Sequence, residues 1–239
     1  MIYLIGGPPR SGKTTLAKKL AARLRVGWVS ADILESVVRE YTPKKDYRKL
    51  FPKNALREKT HWNNDEMYGM FSHKEIAHAY IQQGKVSRKA VEVFVKDCVN
   101  EAHDFVIEGH QLHPKLVAEL IRKFPKEIRG VFLIKRDEQL IVNGFHKNKA
   151  KWDWVLQKTN KKETFPKIAK MLSFFGTWIE KEAQKYQLPV YCVDNNFLKA
   201  ITALEKDLAK CPRLTTPTPA PPLLGKPKAL DTWLASPKF

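Results

Sequence analysis

Short apolar runs alternate with longer stretches of helical spacing along most of the chain. Residues 2–5 form an apolar run that closes at Gly6-Gly7, and residues 14–24 then place Leu16, Leu20 and Leu24 with Ala17 and Ala21 on one helical face. Further apolar runs at 26–29, 105–107, 131–134 and 190–193 end at Ser30-Ala31-Asp32, Glu108-Gly109-His110, Lys135-Arg136-Asp137 and Asp194-Asn195-Asn196. Continuous rather than alternating apolar runs belong to strands covered on both faces, so the pattern predicts an α/β fold around a five-stranded parallel sheet. Ligands of such sheets gather at the carboxyl ends of the strands, where these polar groups fall.

Two insertions break the alternation. The stretch between Asp32 and the third apolar run is too long for a plain crossover. It reads as helical, with Ser72-x-x-Glu75 as a capping box, Gly84 as a C-cap, and Val91, Phe94, Val95, Cys98, Val99 and Ala102 on one apolar face. The second insertion, 144–170, carries eight lysines against Asp153 and Glu163. Beyond Cys211 the chain turns proline-rich, which predicts an extended polyproline or disordered tail. The expected organisation is one domain over 1–211, with a helical acceptor-binding insertion at 43–104 and a basic lid at 144–170, followed by a tail at 212–239.

Composition narrows the partners. The 239 residues are 43% hydrophobic, enough for a sizeable core, and no apolar run approaches the roughly 18 residues of a membrane span. Cys98, Cys192 and Cys211 have neither disulfide-framework nor zinc spacing, so a reducing cytoplasm is the expected compartment. The net charge is +18, which calls for an anionic partner. Six of the basic residues lie in the first 31 residues, which hold no acidic one.

Gly7-Pro8-Pro9-Arg10-Ser11-Gly12-Lys13-Thr14 fits G-x-x-x-x-G-K-[ST] between a strand and a helix, the context a phosphate loop requires. Backbone N–H groups at the helix N-terminus cradle phosphate, the lysine reaches the β- and γ-phosphates, and the threonine hydroxyl is a Mg²⁺ ligand. The nucleotide-binding set is therefore Gly7, Arg10, Ser11, Gly12, Lys13, Thr14 and Thr15, and the expected cofactors are ATP and Mg²⁺. The guanine-reading N-K-x-D pattern is not met, since Asn148-Lys149-Ala150-Lys151 lacks the Asp. The third strand closes with Glu108-Gly109 instead of the Asp-Glu pair of motors and helicases.

At these residues, with Arg39-Glu40 and Ile107-Glu108-Gly109-His110, the chain resembles the P-loop kinases, the group of nucleoside monophosphate, shikimate and gluconate kinases and zeta toxins. The resemblance is strongest to 2-phosphoglycerate-kinase-like proteins. It implies a P-loop NTPase three-layer sandwich, strand order 2-3-1-4-5, a helical substrate-binding insertion and a mobile lid after the fourth strand. Arg10 stands where many relatives have Gly, and the lid carries Lys where nucleotide kinases use Arg.

Individual residues have competing readings. Asp32 is either the base that orients the acceptor hydroxyl or a helix N-cap. Glu108 either joins Thr14 at the metal by holding a Mg²⁺-bound water, or meets the substrate and helps polarise the attacking hydroxyl, or pairs with a neighbouring lysine such as Lys13. Arg39, two turns beyond Asp32, either binds a substrate anion or is a solvated helix charge. His110 and His113 either touch substrate or are structural. Arg136 either stabilises the transferring phosphoryl group from within the chain or pairs with Asp137 or Glu138. Among His146, Lys147, Lys149 and Lys151, one is expected at the phosphates, while Trp152 and Trp154 stack on a ligand or pack the lid. The function expected is phosphoryl transfer from MgATP to a hydroxyl of a small anionic metabolite or nucleotide. The alternatives are a polynucleotide 5′-kinase or RNA-associated ATPase and a nucleotide-gated interaction protein. No membrane partner is expected, and nothing assigns an oligomeric state.

Overall fold

The computed structural model describes residues 1–147 and 153–210; Lys149, Lys151, Trp152 and the tail 212–239 lie outside the described residues. Five parallel strands, β1 (Ile2–Gly6), β2 (Gly27–Ser30), β3 (Phe105–Gly109), β4 (Ile128–Ile134) and β5 (Val190–Cys192), form one sheet in the order β2-β3-β1-β4-β5. This is the expected P-loop NTPase order. The central pairing sets Ile5 beside Glu108 and Gly6 beside Gly109, so the loop that follows β1 starts level with the acidic end of β3. All five residues of β1 are buried, which is why that segment is apolar without alternation.

Helices α1 (Lys13–Leu24) and α12 (Phe197–Ala209) cover one face of the sheet, packing Leu16, Leu20, Ile201 and Leu204 against Tyr3, Ile5, Val106 and Leu133. The other face carries α8 (Pro114–Lys123) and the long α11 (Thr164–Lys185), whose Ile168, Leu172, Phe175 and Ile179 are buried with Leu4, Ile107 and Phe132. Between α2 (Ala31–Glu40) and β3 the chain forms α3 (Lys44–Leu50), α4 (Pro52–Lys59), α5 (Asn64–Met70), α6 (His73–Gly84) and α7 (Arg88–Asn100). Two short helices, α9 (Glu138–Lys147) and α10 (Trp154–Gln157), lie between β4 and α11. Among the described residues no helix is long and apolar enough to cross a membrane.

The capping box forms as read: Ser72 Oγ accepts from Glu75 N while Glu75 Oε2 accepts from Ser72 N. Gly84 does not act as the C-cap. It is still inside α6, Lys85 caps with φ −68°, and a Cβ on Gly84 would meet His113 Nε2 at 2.7 Å. The glycine is there for close approach of another chain segment, a requirement that helix-end chemistry does not reveal. Ala102 likewise leaves the apolar face of α7. It is exposed beyond the helix end at φ 54°.

Candidate active site

Residues 7–12, the expected phosphate loop, join β1 to α1. Gly7 and Gly12 have φ of 139° and 99°, left-handed values that favour glycine, and a Cβ on Gly7 would strike the Leu133 carbonyl. Arg10 adopts φ 65°, a conformation costing about 1 kcal/mol for a side-chain-bearing residue. Its guanidinium is held by the Asp153 carboxylate and lies 5.4 Å from the Phe145 ring centroid. Ser11 is buried, and its Oγ has no hydrogen-bond partner, an orphaned donor in a cradle shaped for phosphate. Lys13 Nζ donates to the Pro8 carbonyl at 2.7 Å. Burial lowers the Lys13 pKa, and the neighbouring Glu108 and Asp32 carboxylates oppose that shift. These features fit a nucleotide triphosphate.

Thr14 Oγ1 donates to Glu108 Oε1 at 3.0 Å, joining the first turn of α1 to the end of β3. A hydroxyl and a carboxylate side by side form an oxygen donor pair of the kind Mg²⁺ takes alongside nucleotide phosphates and water, so these residues fit the ion.

Asp32 lies at the start of α2, where the helix cap is Ser30: its Oγ accepts from Asp32 N at 3.3 Å. The capping role proposed for Asp32 therefore belongs to Ser30. The Asp32 side chain is 65% exposed and accepts from Gln111 Nε2 at 2.7 Å, with His110 Nδ1 at 3.4 Å. Desolvation works to raise its pKa, but His110, the Gln111 hydrogen bond, Lys53 and Lys13 outweigh it and hold the carboxyl below its ordinary value. Behind Asp32, one turn along the helix, Glu35 is buried. It accepts from Lys53 Nζ at 2.8 Å, Gln83 Nε2 at 2.6 Å and Gln111 Nε2 at 3.0 Å. Gln111 thus bridges the two carboxylates and fixes the orientation of Asp32. His110 is buried, its pKa is pushed down to about 4 chiefly by desolvation, and its Nε2 has no hydrogen-bond partner.

A second polar cluster sits beside this one. Arg57 on α4 is only 7% exposed, donates to Tyr80 Oη at 2.7 Å and lies 4.7 Å from the Trp154 ring centroid. No carboxylate pairs with it among the described residues. Tyr68, 4% exposed, raises the Arg57 pKa through its charge interaction, and its Oη has no hydrogen-bond partner. The clusters are contiguous, because the Tyr80 ring packs edge-on against His110 at 5.5 Å and lies 5.4 Å from Lys53 Nζ.

The structure brings Lys13, Thr14, Asp32, Glu108 and His110 together. It does not bring Arg39 to them: that guanidinium meets Glu40 at 3.5 Å. Arg136 is also directed away, paired with Glu180 on α11 rather than with Asp137 or Glu138, and its backbone N–H donates to Asp194 Oδ2 at 3.0 Å. His113 packs edge-on against Trp178 at 5.1 Å. Sequence reasoning missed Glu35, Gln111 and Arg57. The spacing Asp32-x-x-Glu35 signals two carboxylates on one helix face, whereas Arg57 has no local signature among the many cations of its segment.

No family model matches the chain, and no curated protein matches it. Solved structures that are similar include a shikimate kinase from Bacteroides thetaiotaomicron at 15% identity, covering 87% of this chain and 98% of that one with a TM-score of 0.44. An uncharacterized protein from Eubacterium ventriosum is 17% identical, with coverages of 87% and 97% and a TM-score of 0.45. A gluconokinase from Sinorhizobium meliloti is 11% identical, with coverages of 77% and 95% and a TM-score of 0.32. Likeness at this level says nothing about substrate, and the chemistry rests on the site's own geometry.

Proposed function

We propose that the protein is a kinase that moves the γ-phosphoryl group of MgATP to a hydroxyl of a small anionic molecule. The observation that carries the reading is the convergence of a phosphate loop, the Thr14–Glu108 pair and a partly exposed, hydrogen-bonded Asp32 on one edge of the sheet. In this reading Lys13 turns its remaining N–H donors to phosphate oxygens, and N–H groups at the start of α1 hold the phosphate chain. Thr14 and Glu108 would hold Mg²⁺, whose chemistry there would be to offset the negative charge of the phosphates. Asp32 accepts the proton of the acceptor hydroxyl as its oxygen bonds to the γ-phosphorus and the bond to the β–γ bridging oxygen breaks, leaving ADP.

Arg57 supports an anionic acceptor. A buried guanidinium without a carboxylate partner is costly, and a carboxylate or phosphate on the acceptor would satisfy it together with the Tyr68 hydroxyl. The test is transfer from γ-labelled ATP to pooled anionic metabolites and, in parallel, to 5′-hydroxyl oligonucleotides. Label on the metabolite pool is the expected result. Label confined to oligonucleotides would establish the polynucleotide kinase instead, and MgATP binding without transfer to either pool would refute the enzyme.

A further inference from the structure

Lys135 directly follows β4, beside the phosphate loop and one position before the arginine that the sequence singles out. Its carbonyl lies 3.0 Å from where a Cβ on Gly176 would stand, and Pro8 Cγ is 3.8 Å from the same point. The end of β4, the middle of α11 and the rising limb of the loop therefore meet there. Lys135 Nζ stands 5.3 Å from the centroid of the Phe197 ring, and that ring packs on Gly12, immediately before Lys13. On its other side Nζ is 3.7 Å from the position of a Cβ on Gly144 in α9. The ammonium thus occupies a crevice between the loop's own covering ring and the helix that follows β4.

Among the described residues nothing pairs directly with this charge. Lys135 is half-buried, and among the described residues no carboxylate or carbonyl forms a hydrogen bond or ion pair with it. Asp194 lies near enough to favour the charged form, but it already accepts from the N–H groups of Arg136 and Asp137 and from Cys192 Sγ. Arg10 faces Lys135 as a second cation, and burial together with that repulsion lowers the lysine's pKa. The two differ in one respect: Arg10 has its own carboxylate in Asp153, whereas Lys135 has none. A desolvated, repelled ammonium beside a phosphate cradle is costly unless an anion joins it.

We infer that Lys135 is a phosphate ligand of the bound nucleotide, its ammonium bonding an oxygen of the phosphate chain held in the loop. The neighbouring Arg136, committed to Glu180, is not the cation that β4 delivers to the site. The partners show the split: Lys135 Nζ lies against Phe197, whereas the Arg136 guanidinium pairs with Glu180 on α11. The inference rests on the reading of residues 7–15 as a nucleotide site.

The test is the affinity for the fluorescent N-methylanthraniloyl derivative of ATP, measured in wild type, Lys135→Met, Lys135→Arg and Lys13→Ala. Methionine keeps an unbranched stem against Phe197 and removes the charge; should that variant fail to fold, Lys135→Gln takes its place. Loss of one charge-assisted hydrogen bond predicts binding about ten- to a hundredfold weaker in Lys135→Met, and within about threefold of wild type in Lys135→Arg. Unchanged binding in Lys135→Met overturns the inference, and so does equal weakening in the methionine and arginine variants, which marks a packing role. The Lys13→Ala variant separates the two levels. If it too binds as wild type, the loop is not the nucleotide site and the underlying reading fails. If it alone loses binding, only the role of Lys135 fails.

Discussion

His113 offers a test of the environment around the β3–α8 connection. Its imidazole is 8% exposed, packs against Trp178, and leaves Nε2 without a hydrogen-bond partner. Burial first, then the nearby charges of His110 and Lys85, push its pKa from 6.5 down to about 3. The folded chain therefore holds this ring neutral under conditions where the unfolded chain protonates it. Stability from this group is fully present above pH 6.5 and is lost as pH falls toward about 3. At about pH 4.5 the unfolded ring has gained roughly two pKa units of proton-binding free energy, or about 3 kcal/mol, that the folded ring does not share. Urea melts of wild type and His113→Asn between about pH 7 and 4.5 isolate the effect, because carboxylates common to both cancel in the difference. The wild type should lose about 3 kcal/mol more than the variant over that interval. A difference between the two proteins that stays constant with pH would show that the ring finds a proton acceptor or solvent in the native state, and would refute the argument.

Three further outcomes are expected. Asp32→Asn should lower kcat by about 10²–10⁴-fold while leaving nucleotide affinity intact, and an unchanged kcat would remove the carboxylate from proton transfer. Arg57→Met should raise the acceptor KM by about ten- to a hundredfold, yet leave the melting temperature equal or higher, because an apolar side chain of similar length relieves an unpaired buried charge. A large fall in thermal stability would instead make Arg57 a structural residue. Gly12→Ala should weaken nucleotide binding sharply, since φ 99° and the Phe197 ring at 2.5 Å leave no place for a methyl group; calorimetric titration with wild-type affinity would contradict this.

The central strands β1, β3 and β4 were legible because segments buried on both faces must be continuously apolar. The edge strands β2 and β5 are partly exposed instead, and their short runs were legible from the polar residues that end them. The loop was legible because its turns need Gly at positive φ, at Gly7 and Gly12, just ahead of a Lys-Thr pair that opens α1. The second layer was not. Gln111 acts through a bridge to Asp32 and Glu35, 79 and 76 positions away in sequence, and no local pattern encodes that. Arg57 looks like any other helix cation until Trp154, 97 positions further along, closes over it. Likewise Lys135 and Arg136 are adjacent and chemically alike, and only the positions of Glu180 and Phe197 distinguish them.

Under the proposed function, the bond between Lys13 and the Pro8 carbonyl bears on the entropy of nucleotide binding. The ammonium has three N–H donors and the carbonyl takes one, so an arriving phosphate would meet a lysine already aimed and with donors left over. The rotamer freedom of the four-carbon stem is lost when the chain folds, so little of it remains to be lost on binding. A calorimeter would then register a smaller entropic penalty at this lysine than a freely rotating side chain imposes.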